Sequence, residues 1–153
     1  MKRREDGIII RHPNDKDFYS ILDLRWRVLD QPVNSTHKTE LSKCDVELDT
    51  IHVAAFEKNA AVSTVRIDPY PERGEHTFLV RRMATDHKYQ RRGIGTDVLT
   101  EAENIAINCG ATHIILHSRL GSVAFYESLG YRLNGCIELH DGNENLEMEK
   151  HFI

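Results

Sequence analysis

The sequence predicts an α/β fold, α+β by stricter counting, with a mixed central sheet flanked by helices. Two observations carry this. Short strand-like segments recur along the whole chain, and two stretches among them, Phe18 to Leu29 and Val98 to Cys109, repeat their apolar residues at helical spacing. The early strands are mostly adjacent and the later ones have helices interposed, an order that combines antiparallel neighbours with a crossover. At 153 residues and 40% hydrophobic, the chain suits one domain spanning 1–153.

Ile8 to Arg11 reads as the first strand, ended by Pro13-Asn14-Asp15, which also offers a helix cap. The helix that follows places Phe18, Ile21, Leu22, Arg25, Val28 and Leu29 on one core face and stops at Pro32. The polar segment from Val33 to Thr50 has no sustained strand period and belongs at the surface, with room for a short helix around Thr39 to Asp45. Ile51 to Phe56 and Ala61 to Ile67 flank Lys58-Asn59 as a hairpin, and Pro69 to Gly74 turn the chain into a strand at His76 to Ala84.

From Ile94 the period changes. Val98, Ala102, Ile105 and Cys109 fall on one helix face, with Gly110 as the stop. Thr112 to His117 is a buried strand and Val123 to Leu129 a short helix. Tyr131 to Leu139 and Leu146 to Phe152 are two late strands joined through Asp141-Gly142-Asn143. The order is β-α-β-β-β-α-β-α-β-β.

Composition excludes several classes of function. The longest apolar runs, such as Ile114 to Leu116, are too short to cross a bilayer, and Met1-Lys-Arg-Arg-Glu-Asp lacks a signal-peptide stretch, so the expected location is the cytoplasm with no membrane partner. Cys44, Cys109 and Cys136 form no Cys-x-x-Cys pair and read as reduced thiols, with Cys109 in the helix-face core. The formal charge of −4 argues against a nucleic-acid binder, while Arg81, Arg82, His87, Lys88, Arg91 and Arg92 suggest a local anion site. No metal is expected. His-Glu-x-x-His is absent, and His113 and His117, four apart in a strand, stand roughly 13 Å from each other.

The chemistry is concentrated in Tyr89-Gln-Arg-Arg-Gly-Ile-Gly-Thr96, between a strand and a helix. A helix start presents unpaired N–H groups and the positive end of the dipole, and glycines let an anion approach the backbone. Taken alone, the glycines could equally ease a tight turn. Two better-known phosphate motifs fail here, because the third glycine of Gly-x-Gly-x-x-Gly would fall at Val98 and no Gly-Lys-Ser/Thr occurs. A second signal, Ala124-Phe-Tyr-Glu-Ser-Leu-Gly-Tyr131, reads by itself as a glycine-ended helix with buried aromatics.

Taken together, Gln-x-x-Gly-x-Gly after a strand and Phe-Tyr-Glu-x-Leu-Gly-Tyr further on resemble the GNAT superfamily of N-acetyltransferases. The resemblance covers Leu79 to Tyr131. It implies an acyl-CoA N-acyltransferase type of fold and acetyl-CoA as co-substrate. Its pyrophosphate would lie on Gln90, Arg91, Arg92, Gly93, Ile94, Gly95 and Thr96, and its pantetheine along Met83, Ala84 and Thr85. It implies a V-shaped opening between the strands at His76–Ala84 and Thr112–His117, with Tyr126 as general acid. Thr85, His87 and Arg119 depart from the family's usual valine, proline and asparagine. The last departure puts one pantetheine contact in doubt, which Ser118 or Ser122 would replace unless they only cap the helix.

The expected reaction is direct transfer of acetyl to a primary amine, of a small molecule or a protein, without a covalent enzyme intermediate. His117 is a base candidate, and Glu75, His76 and Glu47 are weaker ones. The rival readings are a module that senses acetyl-CoA without turning it over and a purely structural partner. Exposed sheet edges leave room for a homodimer.

Overall fold

The computed structural model describes residues 1–33, 40–140 and 142–152. A short strand absent from the sequence expectation, β1 (Lys2–Arg3), precedes β2 (Ile9–Arg11). Asn14 then caps as expected: its side chain accepts from the amides of Lys16 and Asp17, and the Asp17 carboxylate accepts the Asn14 N–H at 2.7 Å. Helix α1 (Phe18–Arg25) follows and widens into a π turn at Trp26–Asp30. Part of the polar segment, residues 34–39 with Thr39, lies outside the described residues, and the remainder holds a single 3-10 turn at Cys44–Val46.

The hairpin of β3 (Ile51–Glu57) and β4 (Ala60–Pro69) turns at Lys58, whose φ of 57° is left-handed. β5 (Thr77–Thr85) returns beside β4. Helix α2 (Ile94–Asn108) crosses over to β6 (His113–Ser118), the parallel neighbour of β5. Helix α3 (Val123–Ser128) leads to β7 (Arg132–His140) and β8 (Asn143–His151). All eight strands join one sheet in the order β1-β2-β3-β4-β5-β6-β8-β7, so the last strand inserts between β6 and β7. β7 forms an edge, where Leu133, Ile137 and Leu139 are exposed.

The two sheet faces carry separate cores. α2 lays Ile94, Val98, Leu99, Ala102 and Ala106 against β3 and β4, joined by Ile8, Val53, Val65 and Ile114. α1 covers the other face with Ile21 and Leu24 against Ala54, Phe56 and Ala84. Each fully buried aliphatic side chain contributes about 1.5–3 kcal/mol, which fixes both helices on the sheet. Cys109 is a correction. It is exposed, because the buried stripe of α2 runs through Leu99 and Ala106, and residue 109 lies past the helix end, where Gly110 takes φ +97°.

Candidate active site

Parallel pairing between β5 and β6 runs from Thr77 opposite His113 to Val80 opposite Leu116 and stops there. On its other side β5 loses register with β4 between Thr64 and Arg66, at a bulge where Arg82 adopts φ 53°. A left-handed backbone costs a non-glycine residue about 1–2 kcal/mol, and a bulge bends its strand. Arg82 is held in place by Asp30, whose two carboxylate oxygens accept its Nη groups at 2.8 and 2.7 Å. Beyond Val80 the strands diverge around a cleft of about 1700 Å³, lined by both strand ends, the start of α2 and α3.

At one end of the cleft, Arg91 (φ 65°) and Gly93 (φ 76°) bring the chain into α2. The first helical bond runs from the Asp97 N–H to the Gly93 carbonyl at 3.1 Å, so the amides of Ile94, Gly95 and Thr96 precede the helical ladder. Gly95 passes close to the end of β5. A Cβ there would stand 3.1 Å from Thr85 Oγ1 and 3.6 Å from both Met83 and Phe125. Thr85 is itself fixed to Ser63 at 2.9 Å, and Gln90 Nε2 donates to the Thr85 carbonyl at 3.3 Å.

Three arginines of the basic stretch are neutralised within the fold. Arg81 pairs with Glu138, Arg82 with Asp30, and Arg92 with Asp6 at 3.0 Å while lying over the Tyr89 ring. Arg4 adds a latch, donating to the Arg92 carbonyl at 2.7 Å and pairing with Asp97. Arg91 lines the cleft and has no side-chain partner among the described residues, whereas Arg92 faces the N-terminal segment.

Tyr126 stands on α3 in the cleft wall, half-buried, with its ring edge-on to Tyr131 at 6.1 Å. Among the described residues nothing hydrogen-bonds its hydroxyl, and burial pushes the phenol up to about 12. Arg119, in the departed position, reaches across to the Leu29 carbonyl at 2.7 Å. The Ser118 hydroxyl is committed to the Arg119 carbonyl, and the Ser122 side chain makes no capping bond, so neither serine caps α3.

His117 lies on the opposite wall. Its Nε2 is 3.0 Å from Glu147 Oε1, and Glu147 is clamped by Arg73 at 3.0 and 2.9 Å. Arg73, with help from Asn134 and His117, holds the Glu147 carboxyl at about 2, despite its burial. Facing an ionised carboxylate, Nε2 carries a proton. Nδ1 is buried without a hydrogen-bond partner, 3.5 Å from Glu138 Oε2. Glu75 and His76 sit outside the cleft, while exposed Glu47 lines it.

Residues 17–131 match the acetyltransferase (GNAT) family. The chain belongs to that family. Uncharacterized protein YyaT of Bacillus subtilis (strain 168) is 26% identical over 147 residues, covering 93% of this chain and 94% of YyaT. Among solved structures, an acyl-CoA N-acyltransferase from Pseudomonas aeruginosa superposes with a TM-score of 0.75 at 20% identity, over 94% of this chain and 97% of that one. The PaiA N-acetyltransferase from Thermoplasma acidophilum, solved with coenzyme A, gives 0.71 at 19% identity, over 95% and 99%. These likenesses establish the acyl-CoA N-acyltransferase fold for this GNAT chain.

Several residues that frame this cleft gave no signal in the sequence. Asp30, Arg73, Asn134, Glu138 and Glu147 act only through partners that the sheet order brings near. Asp45 is another. Burial opposes its ionisation, yet Arg25 and Arg66, at 3.0 and 2.9 Å, hold its carboxyl at about 2 and build a rigid wall beside exposed Glu47, Asp49 and Glu72. The cysteines are free, and no helix among the described residues is long and apolar enough to cross a membrane.

Proposed function

We propose that this chain is an N-acetyltransferase that moves the acetyl group of acetyl-CoA directly onto a primary amine. One observation carries the reading: the start of α2, the end of β5 that has left β6, and Tyr126 all line a single cleft. Acetyl-CoA would place its pyrophosphate on the amides of Ile94 to Thr96 beside Arg91, where helix dipole and guanidinium both favour an anion. The crowding at Gly95 supports this placement, because a side chain there would fill the space between α2 and Thr85. Pantetheine would lie along Met83 to Thr85, where β5 has lost its β6 neighbour.

The acceptor must reach the thioester as a neutral amine, although a free alkyl amine titrates near ~10, so a base must take its proton. His117 suits this role. With Nε2 directed at Glu147, Nδ1 is the ring nitrogen left to take the proton, directly or through water, once Glu138 moves aside. The developing oxyanion is stabilised by a backbone N–H on the free edge of β5. Tyr126 donates its phenolic proton to the departing sulfur. The exposed carboxylates of Glu47, Asp49 and Glu72 at the other end of the cleft favour a cationic acceptor. The free cysteines suit a reducing cytoplasm.

Release of free CoA thiol, followed with a panel of primary amines, tests the reading. Amine-dependent release is expected, with the acetylated amine as co-product. Acetyl-CoA binding without such release would select a sensing module instead, and absence of binding would overturn the reading altogether.

A further inference from the structure

Away from the phosphate loop, the strand pair β6/β8 brings together two histidines and a glutamate. His113 and His151 are direct partners across the pair, and their rings stack with centroids 4.1 Å apart. Glu149, two residues before His151, projects to the same face. Its Oε1 lies 3.2 Å from His151 Nε2 and its Oε2 3.5 Å from His113 Nε2. One donor atom from each of the three lies within 4.8 Å of the other two. His113 Nε2 is buried and lacks a hydrogen-bond partner, a condition that ordinarily costs about 1–3 kcal/mol.

We propose that His113, Glu149 and His151 bind one divalent transition-metal ion of borderline softness, such as zinc, on the β6/β8 face.

Two imidazoles and a carboxylate are a donor set that such ions take, with a fourth position left for water. Bonds of roughly 2.0–2.2 Å to a tetrahedral ion separate its ligands by roughly 3.3–3.5 Å. Glu149 Oε1 to His151 and Glu149 Oε2 to His113 stand near this spacing, and rotation of the Glu149 and His151 side chains brings one oxygen and both ring nitrogens onto a single ion. The stack must open, because a metal lies in the plane of each ring it binds. His151, with 67% of its side chain exposed, is free to turn, while His113 at 18% supplies the fixed ligand.

The surroundings hold the carboxylate in place. Asn134 donates to Glu149 Oε2 at 2.9 Å. Glu147 adjoins on the same face and is matched by Arg73, and Arg132 stands opposite Glu149 on β7. The sequence expectation of no metal considered His113 with His117; the partner in the fold is His151.

The test uses the untagged full chain, freed of metal by dialysis against a chelator and titrated with cobalt(II) near neutral pH. Visible ligand-field bands of a low-coordinate ion should appear with a one-to-one end point in the micromolar range, and zinc should abolish them by competition. His151→Ala and Glu149→Gln should each weaken binding about tenfold or more. His151 is exposed, so its variant should keep the apo melting temperature. Absence of a one-to-one site, or unchanged affinity in both variants, would overturn the proposal. Binding is read without acetyl-CoA, so this result stands apart from the proposed acetyl transfer.

Discussion

Arg82 and Asp30 lie on separate elements and meet in a two-pronged pair at 2.8 and 2.7 Å. Asp30 ends the π turn that follows α1, and Arg82 is the left-handed residue of the β5 bulge. The pair thus ties the widening of a helix to the bending of a strand, and the cleft lies where that strand leaves β6. Both irregularities are costly by themselves, and each positions the partner that stabilises the other.

Asp30→Ala should therefore destabilise the fold by about 2 kcal/mol, since Asp30 is buried and its loss leaves a half-buried guanidinium unpaired. It should also lower kcat/KM for acetyl-CoA by roughly tenfold, through displacement of Met83 to Thr85. Arg82→Gly accepts the same φ without strain, so the double variant should cost less than the two single changes combined. Denaturant unfolding and steady-state kinetics check this. Additive losses would mean that the pair does not act as a unit.

Arg91 and Arg92 should behave differently although they are neighbours. Arg91→Ala removes a guanidinium that has no side-chain partner among the described residues and should raise the KM for acetyl-CoA several-fold, flatten its salt dependence and leave kcat nearly intact. Arg92→Ala breaks a surface pair with Asp6, a kind of contact that contributes at most about 1 kcal/mol, so its kinetic effect should be small. Equal effects on KM across a salt series would contradict the assignment.

These contrasts mark where the sequence is legible. The glycine loop and the Tyr126 segment can be read because each is local: a strand end, a turn and the first residues of a helix carry the whole signal within one short stretch. The strands and helices from β2 to β6 follow from periodicity for the same reason. His117 with Glu147 and Arg82 with Asp30 are legible only once strand order is known, because β8 inserts between β6 and β7 and the π turn redirects Asp30. Cys109 was misplaced because helical spacing gives the period of a face, and the docking of α2 on the sheet decides which face is buried.

Acid should expose the Glu147 clamp. A carboxyl held at about 2 in the folded protein, below its ordinary range, stabilises the fold above pH ~4.5, and that contribution is lost as pH falls from there towards 2. Arg73→Ala removes the largest cause of the shift and should raise the midpoint of acid unfolding while costing on the order of 2 kcal/mol at neutral pH. Circular dichroism across an acid titration measures both. If the variant matched the parent's acid midpoint, Glu147 would owe its low value to another partner.

Tyr126 gives the most direct test of the chemical step. Its hydroxyl has no hydrogen-bond partner among the described residues, and burial pushes the phenol up to about 12, so the proton is present throughout the neutral range and available to a developing thiolate. Phenylalanine keeps the ring and its edge-on contact with Tyr131 while removing that proton. Tyr126→Phe should therefore retain its melting temperature and its affinity for acetyl-CoA. Turnover should fall by roughly a hundredfold, within the usual range for general acid catalysis. The pH profile adds an independent check. An acid acts while protonated, so loss of its proton would depress turnover only near pH 12, and any alkaline decline below pH ~10 must belong to another group and persist in the variant. Steady-state kinetics with the best amine found decides the matter: turnover within about threefold of the parent would leave Tyr126 a packing residue and assign the proton to water.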